Sequence, residues 1–107
     1  MGMTHLSTHV LDAVAGTPAA GITVTLTDRG GAVLASAATD DDGRVAALAD
    51  GLTPGVYRLT FDTGSYFTAT PTFYPEVTIT FEVAEGSGKY HVPLLLSPFA
   101  YSTYRGS

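Results

Sequence analysis

The sequence predicts an all-β protein, an antiparallel sandwich of about eight strands. Apolar and polar residues alternate in "GITVTLTD", "VYRLTFD" and "VTITFEV", the period of a strand with one dry and one solvated face. Turn signals separate these stretches, at "AGTPAAG", "DRGGA", "DDDGR", "LTPG" and "AEGSGK". Strands therefore recur about every ten residues, which is the spacing of a sandwich or barrel.

Two further predicted strands differ because they are apolar on both faces. The first strand carries Leu6, Thr8 and Val10 on one face and Ser7, His9 and Leu11 on the other. The strand "KYHVPLLLSP" carries Tyr90, Val92, Leu94 and Leu96 on one face and His91, Pro93 and Leu95 on the other. In a small antiparallel sandwich this pattern predicts that another subunit covers the outer face. If the two strands are neighbours, His9 and His91 project from the same surface.

One segment, "TGSYFTATPTFYPE", does not have the pattern of a strand. Pro71 and Pro75 would interrupt a ladder. Gly64 and Ser65 favour a short helix at residues 65–70, with Ser65 as its cap. No linker or internal repeat divides the chain, so residues 1–107 are predicted to form one domain.

Composition limits the function. The 107 residues are 45% hydrophobic and only 14% charged, which favours surface buried in an oligomer. A net charge of −5 with five basic residues argues against nucleic acid and anionic membranes as partners. The chain has no cysteine, which excludes disulfides and thiolate catalysis. It also lacks a membrane span and a signal-peptide pattern, so a soluble, cytoplasmic protein is predicted.

Three histidines are the candidates for proton transfer near neutral pH. His9 and His91 fit either hydrogen-bonded surface histidines or a catalytic pair. His5 is expected to be a solvated bystander near the N-terminus. Arg44, after "DDDG", would either pair with the neighbouring aspartates or clamp a planar ligand.

Metal and covalent chemistry have no sequence signature. The run Asp40, Asp41 and Asp42 lacks the spacing and distal glutamate of a calcium loop and predicts a turn. The histidine spacing does not support a zinc site, and no serine lies in a Gly-x-Ser-x-Gly motif. No metal or cofactor is therefore predicted, and acid–base chemistry on a bound water remains.

Several stretches carry a resemblance that runs from about Thr4 to Ser107. They are "LSTHVLDAVAGTPAAGITVTL", "TDDDGR", "FYPEVTITFEV", "YHVPLLLSPFAYSTYRGS" and, within the last, the terminal "YRGS". The chain resembles the 5-hydroxyisourate hydrolases of the transthyretin-like family. This implies a transthyretin-like sandwich with one short helix, assembled as a homotetramer, a dimer of dimers, with active sites in a channel between dimers.

The resemblance also implies the reaction, which opens the ring of 5-hydroxyisourate to give 2-oxo-4-hydroxy-4-carboxy-5-ureidoimidazoline in urate catabolism, without a cofactor. The catalytic residues it implies are His9, Arg44, His91 and Ser107, and the substrate-binding residues are Tyr104, Arg105 and Gly106. In the mechanism we hypothesise, His9 activates water and Arg44 anchors substrate oxygens. His91 orients the substrate or relays protons, and Ser107 with Tyr104 closes the wall of the channel.

Two other functions stay open. A transthyretin-like carrier would bind a hydrophobic ligand in the same channel, but it needs neither inward histidines and arginine nor the terminal "YRGS". The stretches "VLDAVAGTPAAGITVTL", "TDDDGR" and "LTPGVYRL" also resemble the carboxypeptidase regulatory-like sandwich, a structural module. That second pattern is largely turn chemistry and discriminates poorly between families.

Overall fold

The computed structural model describes residues 4–86 and 88–107, which form two packed β-sheets. This part of the chain contains nine strands. They are β1 (Thr4–Asp12), β2 (Thr17–Pro18), β3 (Thr23–Asp28), β4 (Val33–Ala38), β5 (Arg44–Asp50), β6 (Gly55–Phe61), β7 (Val77–Val83), β8 (Gly88–Ser97) and β9 (Ala100–Thr103). Since β2 has only two residues, the predicted strand number is confirmed.

The first sheet is built around β1. Strand β8 lies along one edge of β1 and β9 follows β8, while β5 and the short β2 share the opposite edge. The second sheet has the order β4-β3-β6-β7. All neighbours are antiparallel except β1 and β8, which run parallel from the Thr4–Gly88 pair to the Asp12–Leu96 pair. The antiparallel prediction is therefore wrong for this one pair, because side-chain alternation carries no information on strand direction.

The core lies between the two sheets, on the faces that the alternation of apolar and polar residues predicts to be apolar. Fully buried side chains such as Phe61 and Leu94 each contribute about 1.5–3 kcal/mol relative to exposure. The buried strand residues are Leu6, Val10, Val24, Leu26, Val45, Leu48, Tyr57, Leu59, Phe61, Val77, Val83, Tyr90, Val92, Leu94 and Leu96. The predicted inward faces are thereby confirmed.

The outer faces of β1 and β8 are not simply solvated. On β1, His9 and Leu11 are half-buried, and on β8 the same holds for His91 and Leu95, while Pro93 is buried. Because β1 and β8 are neighbours in one sheet, these residues share one surface. The prediction that His9 and His91 project from a common face is confirmed.

The short helix predicted for residues 65–70 is wrong, because this segment forms turns. The Tyr66 N–H donates to the Thr63 carbonyl at 3.1 Å, while the Gly64 N–H donates to the Pro75 carbonyl at 2.8 Å. The second bond ties both ends of the segment together as a loop. The serine predicted as the cap donates instead to an aspartate three residues earlier. Within residues 4–86 and 88–107 there is no helix that could span a bilayer.

Candidate functional site

His91 lies in β8, on the outer face of the first sheet, and is half-buried. The parallel register places Ser7 of β1 directly beside it. The Ser7 Oγ lies 2.8 Å from the His91 Nδ1. This hydrogen bond anchors the imidazole to the first strand.

Arg44 begins β5 directly after a tight turn. The Asp40 carboxylate accepts hydrogen bonds from the Asp42 and Arg44 N–H groups, both at 2.9 Å. Gly43 has a φ of 75°, and a side chain there would collide with the backbone of β1. The predicted turn is thereby confirmed. In the β1–β5 ladder Arg44 stands opposite His9, and no salt bridge among the described residues joins Arg44 to the aspartates of the turn.

The C-terminal segment returns to β8 at His91. Gly106 forms an isolated antiparallel bridge with His91, and its N–H donates to the His91 carbonyl at 2.8 Å. A Cβ on Gly106 would lie 2.5 Å from the His91 Cδ2 and 3.3 Å from the Pro93 Cγ. Carbon atoms pack at about 3.5–4.0 Å. Only glycine therefore allows the segment to approach the imidazole this closely.

A cavity of about 280 Å³ opens beside these residues, and we call it the arginine cavity. Three of the predicted catalytic residues line it, namely Arg44, His91 and Ser107. Its other lining residues are His5, Ser7, Thr8, Ala46 and Lys89. The volume suits a small heterocycle, since pockets for drug-sized ligands begin at about 300 Å³.

The other predicted residues lie nearby but not in this cavity. Tyr104 and Arg105 line a neighbouring cavity of about 340 Å³, which shares His91 with the first. The Arg105 guanidinium lies 4.4 Å from the centroid of the Tyr90 ring, a cation–π distance. His9 lines neither cavity, although it stands on the same sheet face. The structure therefore places five of the seven predicted residues in two cavities that share His91, while His9 and Gly106 line neither.

The electrostatics of the site favour a neutral His91. Burial lowers the pKa of His91 below its ordinary value, and the neighbouring side chains of Arg44 and His9 lower it further. Arg44 and Lys89, two of the five basic residues of the chain, line the arginine cavity. Two basic side chains thus line one cavity in a protein with a net charge of −5.

His5 is solvent-accessible, as expected, but it is not a bystander, because both of its ring nitrogens have hydrogen-bond partners. Its Nδ1 lies 2.8 Å from the Asp50 Oδ1, and its Nε2 lies 2.7 Å from the Ala46 carbonyl oxygen. Only the imidazolium can donate from both ring nitrogens. The hydrogen bond to Asp50 and then that to Ala46 raise the pKa of His5 above its ordinary value. His5 therefore lies in the wall of the arginine cavity as the partner of the Asp50 carboxylate.

Sequence reasoning missed three lining residues of this cavity, His5, Ser7 and Lys89. The signal that would have found them is the period of two in a strand. His5 and Ser7 precede His9 on the same face of β1, and Lys89 precedes His91 on the same face of β8.

This arrangement provides a neutral imidazole, a guanidinium and hydroxyl groups around a small cavity. Such a set can move protons and stabilise negative charge that develops on a ligand oxygen. Among the described residues, no group of three or more His, Asp or Glu side chains is arranged to hold a metal ion.

Comparison with known proteins gives the family. Residues 6–106 match the HIUase/Transthyretin family. The chain belongs to this family. The 5-hydroxyisourate hydrolase of Salmonella typhi is 45% identical over 113 residues, covering 99% of this chain and 83% of that protein. The 5-hydroxyisourate hydrolase of Deinococcus radiodurans is 44% identical over 117 residues, covering 99% and 98%.

Solved structures of the HIUase/Transthyretin family share the fold. The 5-hydroxyisourate hydrolase of Klebsiella pneumoniae has a TM-score of 0.88 at 39% identity, covering 96% of this chain and 99% of that chain. Sea bream transthyretin in complex with thyroxine has a TM-score of 0.90 at 34% identity, covering 94% and 93%. The predicted transthyretin-like sandwich is confirmed. Because both kinds of protein superpose equally well, the fold alone does not distinguish a hydrolase from a carrier.

Proposed function

We propose that this protein hydrolyses 5-hydroxyisourate to 2-oxo-4-hydroxy-4-carboxy-5-ureidoimidazoline in urate catabolism, acting without a cofactor. The observation that carries the proposal is the arginine cavity, where Arg44, His91 and Ser107 meet from three distant parts of the chain. Relatives named 5-hydroxyisourate hydrolase, at about 45% identity over nearly the whole chain, support the substrate. Residues 1–107 act as one domain in this proposal.

In the mechanism, His9 is the base that takes a proton from water as the water attacks an amide carbonyl of the substrate. Arg44, which stands opposite His9 in the ladder, donates hydrogen bonds to the substrate oxygen on which negative charge develops. Both residues belong to paired strands of the first sheet, so the ladder fixes the separation of their backbones.

His91 and the C-terminal segment complete the site. The lowered pKa of His91 keeps its imidazole neutral at neutral pH, the form that can orient the substrate or relay a proton. Ser107 lines the arginine cavity beside it, while Tyr104 and Arg105 line the adjoining cavity and bind the remainder of the substrate. Gly106 holds this segment against the His91 ring.

We also propose that the protein is a cytoplasmic homotetramer, a dimer of dimers. The half-buried apolar residues Leu11 and Leu95 on the outer face of the first sheet support the subunit contact. The absence of cysteine suits a reducing compartment. Native mass spectrometry would give the subunit number, and a monomer at micromolar concentration would contradict this part of the proposal.

The decisive experiment follows the ultraviolet absorbance of 5-hydroxyisourate generated in situ from urate, with and without the protein. We expect catalytic acceleration of the decay, and a loss of about 10²-fold in kcat/KM for Arg44→Ala, as for a lost oxyanion donor. Arg29→Ala is the matched control, because Arg29 is exposed at the end of β3 in the other sheet. If the folded protein leaves the spontaneous decay unchanged, the hydrolase proposal fails. A transthyretin-like carrier then becomes the candidate, to be tested by ligand binding.

A further inference from the structure

Ser7 lines the arginine cavity and contacts His91, but the mechanism above assigns it no role. Its hydroxyl oxygen lies 2.8 Å from the His91 Nδ1, across the parallel β1–β8 pair. Both residues are half-buried, so water competes poorly for this bond. The backbone ladder on both sides, from Thr4–Gly88 to Asp12–Leu96, fixes the separation of the two side chains.

The contact determines which ring nitrogen faces the ligand. Among the described residues, no hydrogen bond engages the His91 Nε2, whereas Nδ1 is engaged by Ser7. Nε2 is therefore the nitrogen left for substrate. The ring also cannot swing toward the C-terminal segment, because its Cδ2 already lies against Gly106.

A hydroxyl differs from a carboxylate or carbonyl as a partner, because it can both donate and accept. When the neutral ring carries its proton on Nδ1, that N–H donates to the Ser7 oxygen and Nε2 has a free lone pair. Nε2 can then take a proton without breaking the bond to Ser7. When the neutral ring carries its proton on Nε2, the Ser7 O–H turns and donates to Nδ1. One ring orientation thus serves all three protonation states.

We propose that Ser7 is the positioning residue of His91, whose hydroxyl holds the imidazole through Nδ1 so that Nε2 exchanges protons with the ligand at constant geometry. The proposal rests on the hydrolase function proposed above. The charged and titratable groups around the ring lie on β1, β5, β7, β8 and the C-terminal segment, and they are His5, His9, Arg44, Glu82, Lys89, Tyr90, Tyr104 and Arg105. Among the described residues, none of these side chains hydrogen-bonds the Nδ1, which is bonded to Ser7.

The test compares variants that differ in little besides the hydroxyl. Ser7→Thr keeps the hydroxyl, and Ser7→Val has the shape of the threonine variant with a methyl group in place of the hydroxyl. Ser7→Ala removes the hydroxyl without added bulk. We expect Ser7→Ala and Ser7→Val to lower kcat by about 10-fold to 100-fold, with KM changed by less than about threefold. Ser7→Thr should recover most of the loss. Ser36→Ala on β4 of the other sheet is the control and should retain wild-type kinetics.

A second readout does not depend on turnover. Nuclear magnetic resonance titration of the His91 ring in wild type and in Ser7→Ala reports its pKa directly. The Ser7 oxygen accepts a charge-assisted bond from the imidazolium, so its removal should lower the pKa of His91 further. A wild-type protein that fails to accelerate 5-hydroxyisourate decay would refute the hydrolase function, while this titration still tests the Ser7–His91 bond.

Three results would overturn the proposal. The first is a kcat for Ser7→Ala within about twofold of wild type. The second is an equal loss in Ser7→Thr and Ser7→Val, which would make the position one of packing alone. The third is an identical His91 titration with and without the hydroxyl.

Discussion

Gly106→Ala places one methyl group against the His91 imidazole and changes little else. Gly106 is not among the glycines with positive φ, so alanine meets no backbone strain there. The added Cβ would lie 2.5 Å from the His91 Cδ2 and 3.2 Å from the Cγ. Since carbon contacts settle at about 3.5–4.0 Å, the ring and the C-terminal segment must separate by about 1 Å.

The size of the effect follows from that displacement. A shift of about 1 Å in a catalytic group costs about 10²-fold in rate. The stability cost is smaller, because the substitution endangers one backbone hydrogen bond near the chain end, of about 0.5–1.5 kcal/mol. We therefore expect Gly106→Ala to lower kcat by about 10²-fold while the protein stays folded.

The assay is the ultraviolet decay of freshly generated 5-hydroxyisourate, together with thermal unfolding and the resonances of His91. Gly30→Ala is the control, because the nearest atom to its Cβ is the Asp28 Oδ1 at an ordinary 3.5 Å. A Gly106→Ala protein with wild-type kcat and unshifted His91 resonances would refute the reasoning. It would mean that the segment accommodates the methyl group without moving the ring.

Four further outcomes are expected. His9→Ala should lower turnover by about 10² or more, the size of a lost general base, and near-native turnover in a tetrameric variant would rule out that role. Truncation after Thr103 should abolish 5-hydroxyisourate turnover while shifting the thermal midpoint little, and retained turnover would remove the C-terminal segment from the site. Asp12→Ala should destabilise the protein by about 1–3 kcal/mol in urea unfolding, because the buried carboxylate accepts two backbone N–H bonds and one tyrosine hydroxyl. His5 has a raised pKa, so the stability it gains from Asp50 is present below pH 6.5, the ordinary histidine value, and is lost as pH rises through the folded-state pKa. The urea midpoints of wild type and His5→Ala should therefore converge at high pH, and a constant difference would contradict this.

Strand faces were the most predictable part of the fold. Alternation assigned the inward residues of β1, β3, β6, β7 and β8, because a strand shows one side to the core at every second position. Strand β4, "VLASAA", and strand β9, "AYST", have no such contrast, because all of their residues are exposed or half-buried at a sheet edge. Their presence depends on pairing with β3 and β8.

The sequence predicted which residues form the site better than it predicted the hydrogen bonds between them. Family resemblance named Arg44, His91 and Ser107, and the cavity brings them together. The Ser7–His91 bond depends on the parallel register of β1 and β8, which no local pattern specifies. The double hydrogen bond of His5 likewise depends on a register shift in the β1–β5 ladder near Ala46.

The parallel β1–β8 pair also has a consequence for biosynthesis. Its partners are separated by 84 residues, so β1 leaves the ribosome long before the strand that will cover its edge exists. At a translation rate of about 5–20 residues per second, one edge and an apolar face of β1 stay uncovered for several seconds. Non-local pairing over such a sequence distance slows folding, because the entropy of loop closure is lost before the contacts form. His91 contacts Ser7 only after β8 has paired with β1. Translation products that end before β8 therefore cannot contain an assembled site.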